Sequence, residues 1–251
     1  MKQRIRNAFA KAKADGRGAF IAYLTIGYPS LDECERAADE LIAGGADILE
    51  LGVPFSDPFA DGGIIRKAAY AALEQGVTLD DVIAFAKRIR LKHPETGLVL
   101  FSYYNVIFSK GLANFAAAVE GAQIDAVLAV DLPLEEREEL LRELRPRGIS
   151  FVPLIAPNTP LERIKASEAG LDDSFLYVIT VKGTTGERTE LPSDLSARLD
   201  AIRDATHLPV AAGFGISTLA QAREVSRHAD GFIVGSALVK CLMEGRPPCL
   251  N

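Results

Sequence analysis

The sequence predicts an α/β protein of the (β/α)8, or TIM, barrel type. Three observations carry that expectation. Short apolar runs of strand length alternate with stretches of helical length along the chain, eight such runs can be counted, and 251 residues is an ordinary size for one barrel. The runs are mostly apolar without strict alternation, which suits parallel strands covered on both faces. Hydrophobic residues make up 48% of the chain and charged residues 25%, enough of each to bury a large core under a solvated surface. No composition shift, Pro/Ser-rich linker or low-complexity tract divides it, so residues 1–251 are expected to form one domain.

A leading helix over Lys2–Lys13 is expected to close the barrel floor. Phe20–Thr25 reads as the first strand, and Ser30 opens the helix Leu31–Ala43 with Glu33 at capping-box spacing. Asp47–Leu51 is the second strand. Thr78 is a plain cap candidate for Leu79–Leu91, which leads into the third strand, Leu98–Ser102. Ala126–Val130 precedes the helix Leu134–Leu144, and Phe151–Ile155 precedes Leu161–Ala169. There Thr159 and Glu162 have capping-box spacing, and Pro160 would take the first helical position, where its missing N–H costs nothing. Phe175–Thr180 is followed by the helix Ser193–Asp204, and Pro209–Ala212 by Leu219–Ser226 with Ser217 as cap candidate. Gly231–Val234 completes the set. Beyond it only Ser236–Met243 has helical character before Pro247 and Pro248 forbid continuation, so a shortened or missing last outer helix is expected.

Several function classes are disfavoured. A net charge of −6 argues against a nucleic-acid partner, which usually demands a basic excess, while a small anion held by backbone remains open. Cys34, Cys241 and Cys249 are odd in number and irregularly spaced, indicating neither a disulfide framework nor a metal site. The first residues lack the apolar stretch of a signal peptide, and nowhere do 18 apolar residues run together; a cytoplasmic protein with no membrane partner is expected.

In a barrel the reactive groups come from the C-terminal ends of strands and the loops after them. Carboxylates stand there: Glu50 within DILELGVPFSDPFADGG, then Asp57 and Asp61 in its loop, and Asp131 in VDLP. A glutamate in a strand buried on both faces must desolvate, which raises its pKa towards general-acid use, or find a partner in a rim salt bridge. Asp57 and Asp61 lie among Pro and Gly, where turn formation is the plain alternative, and Asp131 could cap the following helix. Glycine clusters come late: residues 182–186 (KGTTG), Gly213-Phe214-Gly215 and Gly235-Ser236. Glycine lets backbone amides approach an anion, and three clusters in successive late loops favour a phosphate site over ordinary turns. Tyr23, Phe101, Tyr103, Tyr104, Tyr177 and Phe214 near strand ends could line a pocket for a flat apolar ring or simply fill core. His93, His207 and His228 are scattered and fit surface roles.

The stretch ILELGVPFSDPFADG resembles the signature of the tryptophan synthase α subunit family, close to LELGxPFSDPxADGP. The likeness continues in order through YLTIGYPS, YYNVIF, VDLPLEE, GTTGER, GFGIS and GSALVK. It implies a lyase that splits indole-3-glycerol phosphate into indole and glyceraldehyde 3-phosphate in tryptophan biosynthesis. On the matching positions it implies that Glu50 and Asp61 are catalytic and that Thr185, Gly186, Gly215, Gly235 and Ser236 hold the phosphate. Tyr23, Phe101, Tyr103, Leu128, Val130, Ile155, Tyr177 and Phe214 would line the indole pocket. It further implies an α2β2 complex in which indole passes to a β subunit, with pyridoxal phosphate in that partner and no cofactor or metal in this chain. The sequence departs from the family at Gly63 (usually proline), Arg66 (usually glutamine), Val106 (proline in a common variant) and Val181-Lys182, where an arginine is common at the first position. Those in the loops after strands two and six motivate an alternative, a subunit that mainly activates its β partner with weak lyase activity of its own.

Overall fold

A computed structural model describes residues 3–180, 195–213 and 215–249. The strands are β1 (Ala19–Thr25), β2 (Ile48–Gly52), β3 (Gly97–Ser102), β4 (Ala126–Ala129), β5 (Ser150–Phe151), β6 (Leu154–Ile155), β7 (Leu176–Ile179), β8 (Val210–Gly213) and β9 (Gly231–Val234). They form one parallel sheet in the order β5-β4-β3-β2-β1-β9-β8-β7-β6. The two ends of that order are neighbours in the chain, so the sheet curls into a (β/α)8 barrel whose fifth stave is split. Pro153 explains the split, because it has no N–H to donate. On one side the Val152 N–H donates to the Val127 carbonyl at 2.9 Å; on the other the Pro153 carbonyl accepts from Tyr177 at 3.0 Å. The strand expected over Phe151–Ile155 thus pairs with β4 through its first half and with β7 through its second.

The helices are α1 (Arg4–Ala14), α2 (Leu31–Ala43), α3 (Gly63–Glu74), α4 (Leu79–Lys92), α5 (Tyr104–Lys110), α6 (Leu112–Gly121), α7 (Glu138–Leu144), α8 (Leu161–Ser167), α9 (Leu195–Ala205), α10 (Leu219–Val225) and α11 (Ser236–Met243). Ser30 caps α2 by accepting the Glu33 N–H, and Thr78 makes a full capping box with Asp81. Two expected caps move. Pro160 is the N-cap of α8 in an extended conformation, so Thr159 lies one residue too early, and Thr218 with Gln221 caps α10 in place of Ser217. The expected helix from Leu134 starts only at Glu138, after turns fastened by Arg137, whose guanidinium donates to the Ser167 and Ala166 carbonyls.

Side chains alternate between two apolar cores. Leu24, Leu49, Leu51, Leu100, Val127 and Val178 point outward under the helices, whereas Ile21, Ile48, Val99, Leu128, Phe175 and Ala211 fill the barrel interior. Ile5, Phe9 and Ala12 of α1 plug the interior from below. Arg4 anchors the plug: its guanidinium meets Asp125 at 2.7 Å, and Asp125 also pairs with Arg90 at 2.7 Å and accepts the Leu98 N–H at 2.9 Å. After β9 the only helical element among the described residues is the short α11. No described helix is long and apolar enough to cross a membrane.

Candidate active site

Glu50 shares its parity on β2 with inward-facing Ile48, so alternation alone aims it into the barrel. It is 1% exposed, and neither carboxylate oxygen has a hydrogen-bond partner among the described residues. Burial, and then the charge of nearby Asp61, push its pKa up to about 8. Asp61 lies in the loop between β2 and α3 and is 6% exposed. Burial raises its pKa to about 6, with the hydrogen bond from Tyr103 and the charge of Arg66 pulling the other way.

Tyr103 sits just past β3 as the N-cap residue of α5, and its hydroxyl donates to Asp61 Oδ2 at 2.9 Å while accepting the Ala60 N–H at 3.1 Å. Its ring stacks on Phe55 at 4.8 Å between centroids and meets the edge of Phe59 at 5.3 Å. One tyrosine thereby ties the loop carrying Asp61 to the end of the neighbouring strand. Asp131 likewise bridges two segments, since it accepts the Tyr104 N–H at 2.7 Å and so serves the start of α5 rather than the helix after it in sequence. Asp57 is exposed and accepts from the adjacent Ser56 hydroxyl at 2.6 Å, a turn contact.

Tyr23 and Tyr177 project into the same space. Burial first, and then the charges of Asp61 and Glu50, hold both phenols well above the ordinary tyrosine range. The two carboxyls and two phenols thus lie close enough to act on one another's charge. The rings need room at their neighbours: a Cβ on Gly52 would stand 2.2 Å from the Tyr23 hydroxyl, and one on Gly213 would stand 2.7 Å from the Tyr177 ring. Phe101 packs edge-on to Tyr23 at 5.4 Å, Leu128 lies beside Phe101 in register, and half-buried Val130 packs on the same interior cluster. Ile155 has a different setting from these residues. It packs in the outer core, because strand alternation gives the inward direction to Leu154, and it lines a cavity of about 460 Å³ together with Ala60, Val130 and Ile179.

At the same barrel end Gly235 caps α11, and a Cβ there would lie 3.5 Å from the Tyr23 ring carbons. Ser236 is the first residue of α11, and Gly215 follows β8 with φ of +88°. Gly235 thus stands on one side of the Tyr23 ring, whose hydroxyl approaches Gly52 at the end of the strand that carries Glu50. Thr185, Gly186 and Phe214, with Val181 and Lys182, lie outside the described residues. His93 and His228 pair with Asp39 and Asp200.

A family model described as tryptophan synthase alpha chain matches residues 9–247. The chain belongs to the tryptophan synthase alpha chain family. It is 43% identical to the tryptophan synthase alpha chain of Opitutus terrae, covering 96% of this chain and 90% of that one. With the corresponding chain of a Picosynechococcus species it shares 42% identity over 97% and 92%. Among solved structures, Mycobacterium tuberculosis tryptophan synthase superposes with a TM-score of 0.88 at 32% identity, covering 96% of this chain and 91% of that one. A tryptophan synthase a2b2 complex from Pyrococcus furiosus gives 0.82 at 35% identity over 91% of each. Against this family background, two site features went unread in the sequence. Tyr103 was expected only as pocket wall, and Arg66 only as a departure in its loop, although a guanidinium five residues past an expected catalytic aspartate was a legible sign of charge coupling.

Proposed function

We propose that this chain catalyses the retro-aldol cleavage of indole-3-glycerol phosphate to indole and glyceraldehyde 3-phosphate, with residues 1–251 acting as one barrel domain in the cytoplasm. The observation that carries the reading is the splitting of two neighbouring carboxyls to either side of neutrality, about 8 for Glu50 and about 6 for Asp61. At neutral pH Glu50 keeps its proton and Asp61 is ionised. The Glu50 carboxyl donates that proton to indole C3, and the Asp61 carboxylate stabilises the positive charge at the ring N–H as the indolenine forms. The Glu50 carboxylate so produced takes the proton of the glycerol 3′-hydroxyl; the carbon–carbon bond breaks, its electrons return to the ring, and an aldehyde leaves. Each acid–base contribution of this kind is worth roughly 10²–10⁴-fold.

Tyr23, Phe101, Tyr103, Leu128, Val130 and Tyr177, with Phe214, would flank the ring, whereas Ile155 would act from behind the strand. Gly215, Gly235 and Ser236, joined by Thr185 and Gly186, would hold the phosphate at the start of α11. We further propose an α2β2 assembly with a β subunit that carries pyridoxal phosphate, as a counterpart of the Pyrococcus furiosus a2b2 complex. Phe59, in the loop that carries Asp61, and Phe108, on α5, are 67% and 58% exposed and are apolar surface suited to such a partner.

The test is an indole-release assay with and without a β subunit. Glu50→Gln and Asp61→Asn are expected to abolish release while leaving partner binding intact, and full turnover by either variant defeats the assignment. A parent chain that releases no indole yet activates tryptophan formation from indole and serine would instead mark a regulatory subunit.

A further inference from the structure

The segment after α11 turns back on its own helix. The Arg246 N–H donates to the Cys241 carbonyl at 2.9 Å, Gly245 adopts φ of +66°, and Pro247 and Pro248 stiffen the residues beyond. This brings Cys249 against Cys241, whose thiol lies 3.6 Å from the Cys249 carbonyl oxygen. The Cys241 thiol thus faces the backbone of Cys249, with the accepting oxygen two bonds from the α-carbon that bears the second thiol. Pro248 is buried beside a groove of about 760 Å³ that runs past the stacked rings of Phe20 and Phe232. The Arg246 guanidinium is paired with Glu244 at the same turn. The two thiols differ in access: Cys249 is exposed, whereas Cys241 is 3% exposed. Cys34 is elsewhere, on the buried face of α2, with its thiol donating to the Tyr28 carbonyl.

We propose that Cys241 and Cys249 form a reversible intramolecular disulfide that fastens the segment after α11 to that helix, with a low-molecular-weight disulfide, RSSR, as oxidant. Exposed Cys249 reacts first, since the buried thiol cannot meet an external disulfide. Its sulfur, having lost its proton, attacks one sulfur of RSSR; that bond breaks and one RSH leaves carrying the proton. The Cys241 sulfur then attacks the Cys249 sulfur of the mixed disulfide, and a second RSH leaves with the Cys241 proton. Two protein thiols are oxidised and one RSSR is reduced to two RSH, so protons and electrons balance. The bond clamps the far end of the helix that begins at Gly235-Ser236 and holds Pro248 in its groove.

The whole chain is equilibrated in glutathione buffers of graded oxidised-to-reduced ratio, acid-quenched and weighed intact. The parent is expected to lose two hydrogens, to yield a peptide joining Cys241 to Cys249, and to regain its mass with dithiothreitol. Cys249→Ser, a change at an exposed position, is expected to stay reduced, and Cys241→Ser to keep a glutathione adduct on Cys249. Amide exchange across residues 241–249 is expected to slow at least about tenfold on oxidation. A parent that stays reduced, keeps a persistent adduct on Cys249, links Cys249 to Cys34 or dimerises through Cys249 overturns the proposal, as does unchanged exchange in the oxidised chain.

Discussion

Glu50 keeps its proton at neutral pH because no described donor or cation compensates its burial, and that has a thermodynamic signature. Its folded pKa of about 8 stands above the ordinary 4.5. Between those values the native chain holds a proton that the unfolded chain has released, so stability falls as pH rises through the window and levels off above it. Asp61, raised to about 6, adds a smaller decline of the same sign at lower pH. Glu50→Gln is therefore expected to be more stable than the parent by a few kcal/mol at about pH 9 and nearly equal to it at about pH 4, as read by denaturant unfolding. Parallel stability curves would mean that Glu50 titrates normally. Tyr103 provides the complementary case, because its hydroxyl favours the ionised form of Asp61. Tyr103→Phe is expected to move the acidic limb of the indole-release profile upward by a few tenths to about one pH unit. A limb that stays put or moves down would remove Tyr103 from that role.

Among the elements, α3 offers the sharpest test. Gly63 is its first residue, Gly62 before it is extended with φ of −76° and ψ of 166°, and a Cβ on Gly63 would meet nothing within 4 Å. Both conditions suit proline at a first helical position. Gly63→Pro is expected to stabilise by about 0.4–1 kcal/mol through the unfolded chain, visible as a higher thermal midpoint. A lower midpoint would show that the glycine is needed. The elements also show where sequence reading works. Strands announce themselves by apolar runs, and Ser30 and Thr78 announce the helices they cap because capping is local chemistry. The sequence singled out Glu50 as a carboxylate within a buried strand, but left its partner and direction open until the structure placed Ile48 in the interior. The stave split at Pro153 and the outward turn of Ile155 were not legible, since they depend on which strand each residue faces. Nor was the bond from Tyr103 to Asp61, whose partners lie 42 residues apart and meet only when the barrel closes.

At the scale of the whole molecule, the floor is held by charge as well as by apolar packing. Asp125 joins Arg4 of the plug to Arg90 of α4 and to the base of β3, all buried. Asp125→Ala leaves two buried guanidiniums without their shared anion and is expected to cost about 3–5 kcal/mol. A urea titration would register it as a lower midpoint at unchanged slope, and a loss below about 1 kcal/mol would assign the floor to apolar contacts alone.

The circular strand order reaches beyond stability. Apart from the split fifth stave, each described strand has a neighbour on both sides, so the sheet offers an arriving polypeptide little edge to lengthen as an extra strand. Whatever associates with this molecule must be recognised mainly through side chains borne on loops and helices. Recognition can therefore change one residue at a time while the cylinder beneath stays as it is.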